Sequence, residues 1–429
     1  MDYWYLYAAF ACGFMVLYTL RQNKIHQSSS SKLAEAVQSG MVEPASLHPV
    51  IDPGRCIGSG SCATACPEEA IGLIHGKAVL NNPAACIGHG ACLSACPFDA
   101  VKLVFGTEKR GVDIPHLSQN FETNVPGIYI AGELGGMGLI RKAAEQGRQA
   151  VASIRKATKG RADLDLLIVG CGPAGISAAL SAQHHKLRYL VIEQESSLGG
   201  AVYHYPRQKI AMTAPVDLDI VGKVKFGEVQ KEALLEFWQS VVKRTGLRIR
   251  FEERMDSVTP HANGFMVQTS KGQYVAESVL LAMGRRGTPR KLEVPGEESP
   301  KVAYRLVDAA QYAGQNVLVV GGGDSALEAA IALSEQPGTK VVLSYRGDAF
   351  SRVKEKNRTK LQEAQTQKRI AVFMGSTVCS IHRDRVEIQE AKGTFFVEND
   401  AVLVCTGGVL PTPMLQKMGI KFETKFGQA

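Results

Sequence analysis

Twice in this chain a short run of β-branched and other apolar residues ends in a glycine-rich turn and continues into an alanine-rich stretch. The first is Leu166-Leu-Ile-Val-Gly170-Cys-Gly172-Pro-Ala-Gly175, and the second is Val317-Leu-Val-Val-Gly321-Gly-Gly323-Asp324-Ser325-Ala326. The order strand, turn, helix makes a Gly-x-Gly-x-x-Gly pattern specific where the glycines alone would be weak. Such a turn is tight, lets backbone approach a pyrophosphate closely, and sets the anion against the N–H groups of a helix N-terminus. A chain that does this twice is expected to fold as α/β, with two Rossmann-like dinucleotide-binding domains built from βαβ units. The runs Leu190–Ile192 and Val341–Leu343 supply further buried strands of the same kind.

The two turns lead into different sequences. After the first, Glu193 ends the run Tyr189–Ile192, where a carboxylate accepts the ribose hydroxyls of an adenosine, and Gly199 and Gly200 come next. Together with Gly170, Gly172, Pro173, Ala174 and Gly175, this arrangement resembles the FAD-binding half of two-dinucleotide-domain flavoproteins. After the second turn, with Gly321, Gly323, Asp324, Ser325 and the small Ala326 as its site residues, the partner run ends in Ser344-Tyr345-Arg346 and carries no acid. A carboxylate there would repel a 2′-phosphate, whereas Arg346, with Arg352 and Lys354 nearby, can pair with one. NADPH is therefore expected over NADH. For Arg352 and Lys354 a solvated loop of charges is the competing reading.

Between the N-terminus and the first glycine turn lies an internal repeat, DPGRCIGSGSCATACPEEAI from Asp52 against NPAACIGHGACLSACPFDAV from Asn82. Each half contains three cysteines and a proline: Cys56, Cys62, Cys66 and Pro67, then Cys86, Cys92, Cys96 and Pro97. Ten cysteines in all, six of them packed into this repeat beside nucleotide-binding signals, point to metal ligation in a reducing compartment. The segment resembles two-cluster bacterial ferredoxins over about residues 50 to 105, a small α+β module. That resemblance implies that Cys56, Cys62 and Cys96 hold one cluster and Cys86, Cys92 and Cys66 the other, the last cysteine of each run crossing over. The pattern departs from the family where a further cysteine would stand, at Ser59 and His89. Three thiolates hold a [3Fe-4S] cluster, or a [4Fe-4S] cluster with a non-thiolate donor at the last iron. Ser59 and His89 are the candidate fourth ligands, with loop residues facing water as the alternative.

The segment Thr123-Asn-Val-Pro-Gly-Ile-Tyr-Ile-Ala-Gly132-Glu133 resembles the closing FAD motif of thioredoxin-reductase-like proteins, with Glu133 in place of the usual Asp. In that family the motif comes last, whereas here it precedes the first glycine turn and the chain stops at Ala429 soon after Val402-Leu-Val-Cys-Thr-Gly407-Gly408. The expectation is a circular permutation, because the termini of compact domains often lie close together. The resemblance covers about residues 107 to 429 and makes Gly132 and Glu133 FAD contacts. The redox dithiol of that family is missing: no Cys-x-x-Cys stands ahead of Gly321, and Cys12, Cys171, Cys379 and Cys405 are isolated. Cys171 reads as a small packing residue, and Tyr203, His204 and Tyr205 either shield the flavin ring or pack in the core. No catalytic residue is identified.

The run Tyr3–Leu20 carries no charge and as a helix would extend roughly 27 Å, near the hydrocarbon thickness of a bilayer. With Arg21 and Lys24 after it, it is expected to be a retained transmembrane helix whose following domains face the cytoplasm, an amphipathic or buried helix being the alternative. The net charge of +8 is not gathered into a stripe, which disfavours nucleic acid. The expected layout is residues 1–24 anchor, 25–49 linker with a short helix over Lys32–Gln38, and 50–105 dicluster module. Residues 106–160 form the displaced part of the FAD domain, 161–300 the FAD domain, 301–410 the NAD(P)H domain, and 411–429 a return to the FAD domain.

The function expected from these modules is a FAD-dependent oxidoreductase at the cytoplasmic membrane, moving electrons between NADPH, FAD, two iron–sulfur clusters and a protein or membrane partner. Membrane lipid and a homodimeric partner belong to that expectation. A low-molecular-weight disulfide or quinone reductase, or a non-catalytic iron–sulfur redox sensor, are the alternatives.

Overall fold

The computed structural model describes residues 4–38, 42, 44, 47–86, 88–108, 111–136, 138–205, 207, 209–213, 215–285, 287–350 and 353–427. Leu164–Val169 is the central parallel strand of a seven-stranded sheet, hydrogen-bonded to Tyr189–Ile192 on one side and to Gly272–Leu281 on the other. Leu166, Leu167 and Ile168 are fully buried, as a strand covered on both faces requires. The sheet continues antiparallel through Gly264–Thr269 and Met255–His261. The short strand Ile128–Ile130 pairs in parallel with Val279 to Leu281, so residues far ahead of the first glycine turn are strands of the same sheet.

One face of this sheet is covered by the helices Ile140–Ala157 and Pro173–His184. The first is amphipathic, burying Ala143, Ala144, Gly147, Ala150, Val151 and Ile154 at helical spacing. The second starts with Pro173 in the first turn and is buried nearly all round. They approach closely because a Cβ on Gly147 would lie 2.1 Å from the Ala174 carbonyl oxygen. The other face buries Ile128, Ile130, Leu167 and Val169 with Leu415 and Ile420, so the C-terminal segment returns to this unit. Its strand Phe422–Lys425 pairs antiparallel with Val112–Pro115.

The second nucleotide unit has five parallel strands in the order Val302–Ala303, Ala401–Val404, Asn316–Val320, Lys340–Tyr345, Ile370–Met374. Leu327, Ala330 and Leu333 of the helix Asp324–Ser334 join its core on one face, and the antiparallel strands within 377–398 close the other. The cysteine repeat forms two antiparallel pairs, His48–Ile51 with Val101–Val104 and Ile71–Ile74 with Lys77–Leu80, and two short helices, Ser61–Thr64 and Ala91–Ala95.

The N-terminal expectation is corrected. The chain from Trp4 to Gln38 is one continuous helix, and no helix among the described residues is long and apolar enough to cross a membrane. Freedom from charge is not apolarity: the run contains Tyr3, Trp4, Tyr5, Tyr7, Gly13, Tyr18 and Thr19, which carry polar groups or little apolar surface. The single-pass anchor and the placement at the cytoplasmic membrane are overturned with it, and membrane lipid as a partner is left without support. Residues 25–38 of the stretch read as a linker are the docked part of this helix. Ser29 Oγ accepts the Leu73 N–H at 3.2 Å, His26 Nδ1 accepts the His75 N–H at 3.3 Å, and Lys32 pairs with Glu69 at 3.0 Å. Ala36 packs on Ala84.

The close approach at Gly147 yields a stability test. Gly147→Ala gains about 1 kcal/mol of helix propensity, but its methyl would meet backbone that cannot rotate away. A net loss of about 1–3 kcal/mol in urea denaturation is expected; a stabilised variant would show that the two helices are not held at this distance.

Candidate functional site

The residues of the first glycine turn come together at the carboxyl ends of three adjacent strands. Ala131 N–H donates to Leu281 O at 3.2 Å, and Ala282 N–H donates to Val169 O at 2.8 Å, so Ile128–Ile130, Gly272–Leu281 and Leu164–Val169 end side by side. Ligands of open α/β sheets bind at such carboxyl ends. Gly170 takes φ 105°, and a Cβ there would lie 2.7 Å from the Ala282 carbonyl oxygen. Gly175 is pressed so closely on Gly170 that a Cβ would lie 1.9 Å from its carbonyl oxygen. Gly172 caps the helix Pro173–His184, leaving its first N–H groups for an anion.

Around this turn the other expected residues assemble. Glu193 is 6% exposed and accepts the Cys171 N–H at 2.7 Å and the Glu195 N–H at 3.0 Å, which fixes the carboxylate beside the turn. Burial raises its pKa; the N–H donors of Glu195 and Cys171 oppose that without cancelling it. Gly199 donates to Cys171 O at 2.8 Å, and a Cβ on Gly200 would sit 3.0 Å from the Gly172 Cα, so the Gly-Gly pair lies directly on the turn. Gly132 arrives from the early strand. It takes φ 84°, a Cβ on it would lie 3.1 Å from Ala174 Cβ, and its N–H donates to Gln146 Oε1 at 2.8 Å. Glu133 opens a short 3-10 turn and reaches toward Gly284, whose Cβ position lies 3.8 Å from its Oε2. Gln146 escapes sequence reasoning because its role is visible only once the early strand is in the sheet. Tyr205 packs against the core, and His204 lies 3.6 Å from Glu195 and also contacts Arg305.

At the second turn Gly321 takes φ 146°, and a Cβ on it would lie 2.4 Å from the Cys405 carbonyl oxygen. Gly323 caps the helix Asp324–Ser334, Ser325 is exposed and Ala326 is buried. Asp324 faces the next helix, accepting the Lys354 N–H at 3.0 Å and Asn357 Nδ2 at 2.7 Å. Arg346 is exposed at the end of Lys340–Tyr345, and Arg352 lies outside the described residues. Tyr345, missed by motif reading, lies flat on the turn. A Cβ on Gly322 would come within 2.2 Å of its ring and one on Gly347 within 2.8 Å, and Phe350 stacks on it at 5.4 Å.

The six repeat cysteines fall into two sets, each drawing on both halves. Cys56, Cys62 and Cys96 line one small pocket with Ser59, Ile57 and Phe98. Cys66, Cys86 and Cys92 lie near enough to influence one another's ionisation, with His89 beside Cys66. Backbone N–H groups of Ala78, Ala70 and Ala100 each point at a sulfur, of Cys56, Cys66 and Cys96, at 3.4 Å. Burial raises the thiols of Cys62 and Cys86 and pushes Cys92 up to about 11. Burial also acts on Cys66, but the neighbouring imidazole and backbone donors outweigh it and bring that thiol below its ordinary value. His89 Nδ1 accepts the Ala91 N–H at 3.4 Å, while its buried Nε2 makes no hydrogen bond of ordinary geometry. Ser59 Oγ donates to Ser61 Oγ at 3.3 Å. Among the described residues no three such donors converge on a point as a single metal ion needs. A cubane takes its ligands at separate iron corners, and two pooled sets of three thiols fit it.

Known proteins match both parts. Residues 167–428, well over half of the chain, match the pyridine nucleotide-disulphide oxidoreductase family, and residues 48–97 match the 4Fe-4S dicluster domain. Bacilliredoxin reductase Bdr of Bacillus subtilis is 28% identical over 269 residues, covering 61% of this chain and 82% of that protein. A ferredoxin–NADP reductase of Halalkalibacterium halodurans is 30% identical over 272 residues, covering 60% and 78%. Among solved structures, the bacillithiol disulfide reductase Bdr of Bacillus cereus superposes with a TM-score of 0.53 at 26% identity, covering 60% of this chain and 81% of that one.

Cys171 stands inside the first glycine turn yet is 0% exposed, and burial, then the Glu193 carboxylate, raise its thiol far above the ordinary range. Treatment of the native chain with iodoacetamide at pH 8, followed by peptide mass spectrometry, should modify the exposed Cys12 and spare Cys171 until the chain is denatured. Early modification of Cys171 would mean that the turn opens or the thiol is activated.

Proposed function

The chain belongs to the pyridine nucleotide-disulphide oxidoreductase family, and we propose from that premise that it passes electrons between NADPH, FAD and two iron–sulfur clusters and exchanges them with a separate redox partner. It is a FAD-dependent NAD(P)H oxidoreductase with an iron–sulfur domain. The observation that carries the finer reading is the seam between modules. Phe105, immediately after the last strand of the cysteine repeat, lies on Gly136 of the Gly132–Glu133 turn, where a Cβ would come within 2.6 Å of its ring.

In this reading Gly170, Gly172, Pro173, Ala174 and Gly175 present helix N–H groups to the FAD pyrophosphate, Glu193 accepts the adenosine ribose hydroxyls, and Gly199 and Gly200 keep the approach free of side chains. Gly132 and Glu133 close the site from the early strand, with Gln146 holding the Gly132 N–H. Gly321, Gly323, Asp324, Ser325 and Ala326 form the NADPH turn, and Arg346, with Arg352, pairs with the 2′-phosphate. Cys56, Cys62 and Cys96, then Cys66, Cys86 and Cys92, hold the clusters, [4Fe-4S] or [3Fe-4S], with Ser59 and His89 as the candidate fourth donors. Bound FAD accepts two electrons as a hydride and releases them singly, which joins a nicotinamide to one-electron centres. The parallel pairing of Ile128–Ile130 with Val279 to Leu281 favours a circularly permuted FAD domain, since a strand met early in the chain takes a place beside the late ones. The solved structure named for bacillithiol disulfide reduction suggests the competing acceptor, but the isolated, buried Cys171 offers no dithiol for it.

Anaerobic purification with iron, sulfide and flavin analysis, followed by EPR during NADPH titration, tests the reading. Flavin bleaching followed by cluster signals is the expected result; reduced flavin beside iron centres that stay silent would sink it.

Replacing Arg346 by Ala should raise KM for NADPH about 10-fold, the cost of roughly one charge-assisted contact, and leave KM for NADH nearly unchanged. Equal effects on both would remove Arg346 from the phosphate site.

Glu193 gives a pH test. The folded chain without flavin holds the carboxyl proton to higher pH than the unfolded chain, so this group's contribution to stability declines as pH rises through its raised pKa. Ribose hydroxyls donate to the ionised form, so FAD affinity should be flat above that pKa and weaken as pH falls below it. Glu193→Gln should bind FAD about 10-fold more weakly at neutral pH and lose the slope; a retained slope would assign it to another group.

A further inference from the structure

The two thiol sets are not equivalent in place. We propose that Cys66, Cys86 and Cys92 form an inner site facing the flavin turn, and Cys56, Cys62 and Cys96 an outer site at which a one-electron carrier exchanges electrons. The inference rests on the function proposed above and orders its parts.

The antiparallel pair His48–Ile51 and Val101–Val104 is the ruler. His48 is opposite Val104 and Ile51 opposite Val101, so the pair has one end at Leu47 and Phe105 and the other at Asp52 and Ala100. Five residue steps along the strand, from Leu47 to Asp52, separate these ends by roughly 17 Å. Ile51, Ala100 and Val101 line the pocket of Cys56, Cys62 and Cys96, which places that set at the second end. At the first end Cys86 Sγ lies 4.0 Å from Leu47 O, and Gly88 is pressed on Leu47, a Cβ there falling 2.5 Å from the same oxygen. Phe105 lies on Gly136 at this end, and Gly427 donates to Phe105 O at 2.8 Å.

The lining of the outer pocket includes exposed apolar side chains: Ile57 is 63% exposed and Phe98 45%. An apolar rim over a redox pocket excludes water from a docked carrier's contact while charges remain at its edge. NADPH yields NADP+, one proton and two electrons, so two molecules of a one-electron carrier are reduced for each NADPH oxidised. Reverse flow keeps the same count.

Adding a thiol, instead of removing one, marks each site in the full-length, cluster-loaded chain. Ser59→Cys should alter the EPR signal of the outer site and His89→Cys that of the inner site. On rapid freezing after mixing with NADPH, the His89-sensitive signal should rise several-fold faster than the Ser59-sensitive one. When the oxidised protein is incubated with the hydrophilic chelator bathophenanthroline disulfonate and then reduced with dithionite for EPR, the Ser59-sensitive signal should be the first to be lost. The opposite order in either measurement, or simultaneous rise and simultaneous loss, overturns the assignment. If NADPH bleaches the flavin and neither signal appears while dithionite produces both, the electron-transfer function fails, and the order of iron loss still decides which site is outer.

Discussion

The closeness of backbone to backbone at the first glycine turn governs the nucleotide half of this protein. Gly147 against the Ala174 carbonyl, Gly175 against Gly170, and Gly200 against Gly172 are contacts that any side chain would push apart. Because they hold, two helices, a Gly-Gly turn and three strand ends meet in one place, with a buried carboxylate at its edge. Dispersion and burial stabilise the sheet over a wide area. Only the bare positions decide that the helix N-terminus is left open, with no side chain in front of it.

Much of this is legible in sequence, for identifiable reasons. The runs around Leu166–Val169 and Val317–Val320 announce buried parallel strands because both faces must be apolar, and they extend in the structure as Leu164–Val169 and Asn316–Val320. Cys96 lines one pocket with Cys56 and Cys62, the grouping that the resemblance to two-cluster ferredoxins implies and the repeat alone does not. Local reading fails where tertiary contact decides. The four serines from Ser28 to Ser31 have weak helix propensity and resemble a linker, yet they stay helical because one of them, Ser29, is buried against the hairpin at Leu73. The charge-free run ahead of them is misread for another reason: hydroxyl-bearing aromatics lack charge without being lipid-like. Tyr345 and Gln146 belong to no motif, and their places are set by the turn each one touches.

Chain order and spatial order part company in the first nucleotide unit. Ile128–Ile130 precedes the glycine turn by dozens of residues but lies beside Gly272–Leu281, and Phe422–Lys425 pairs with Val112–Pro115. A parallel strand needs only a neighbour with matching hydrogen-bond spacing, so the sheet is indifferent to when in the chain its strands are written. The cysteine module gains its place from this arrangement, since the strand Val101–Val104 leads within a residue to Phe105 and the turn at Gly136.

The interleaving of the thiols has a consequence for how the protein is made. A ribosome releases Cys56, Cys62 and Cys66 well before Cys96, so the first half of the repeat leaves the exit tunnel with no complete set. The set containing Cys66 waits for Cys92, and the set containing Cys56 and Cys62 waits for Cys96. If the two sets hold the proposed clusters, neither half of the repeat can complete a cluster on its own, and a nascent chain stalled between Pro67 and Cys92 would hold thiols with no finished site.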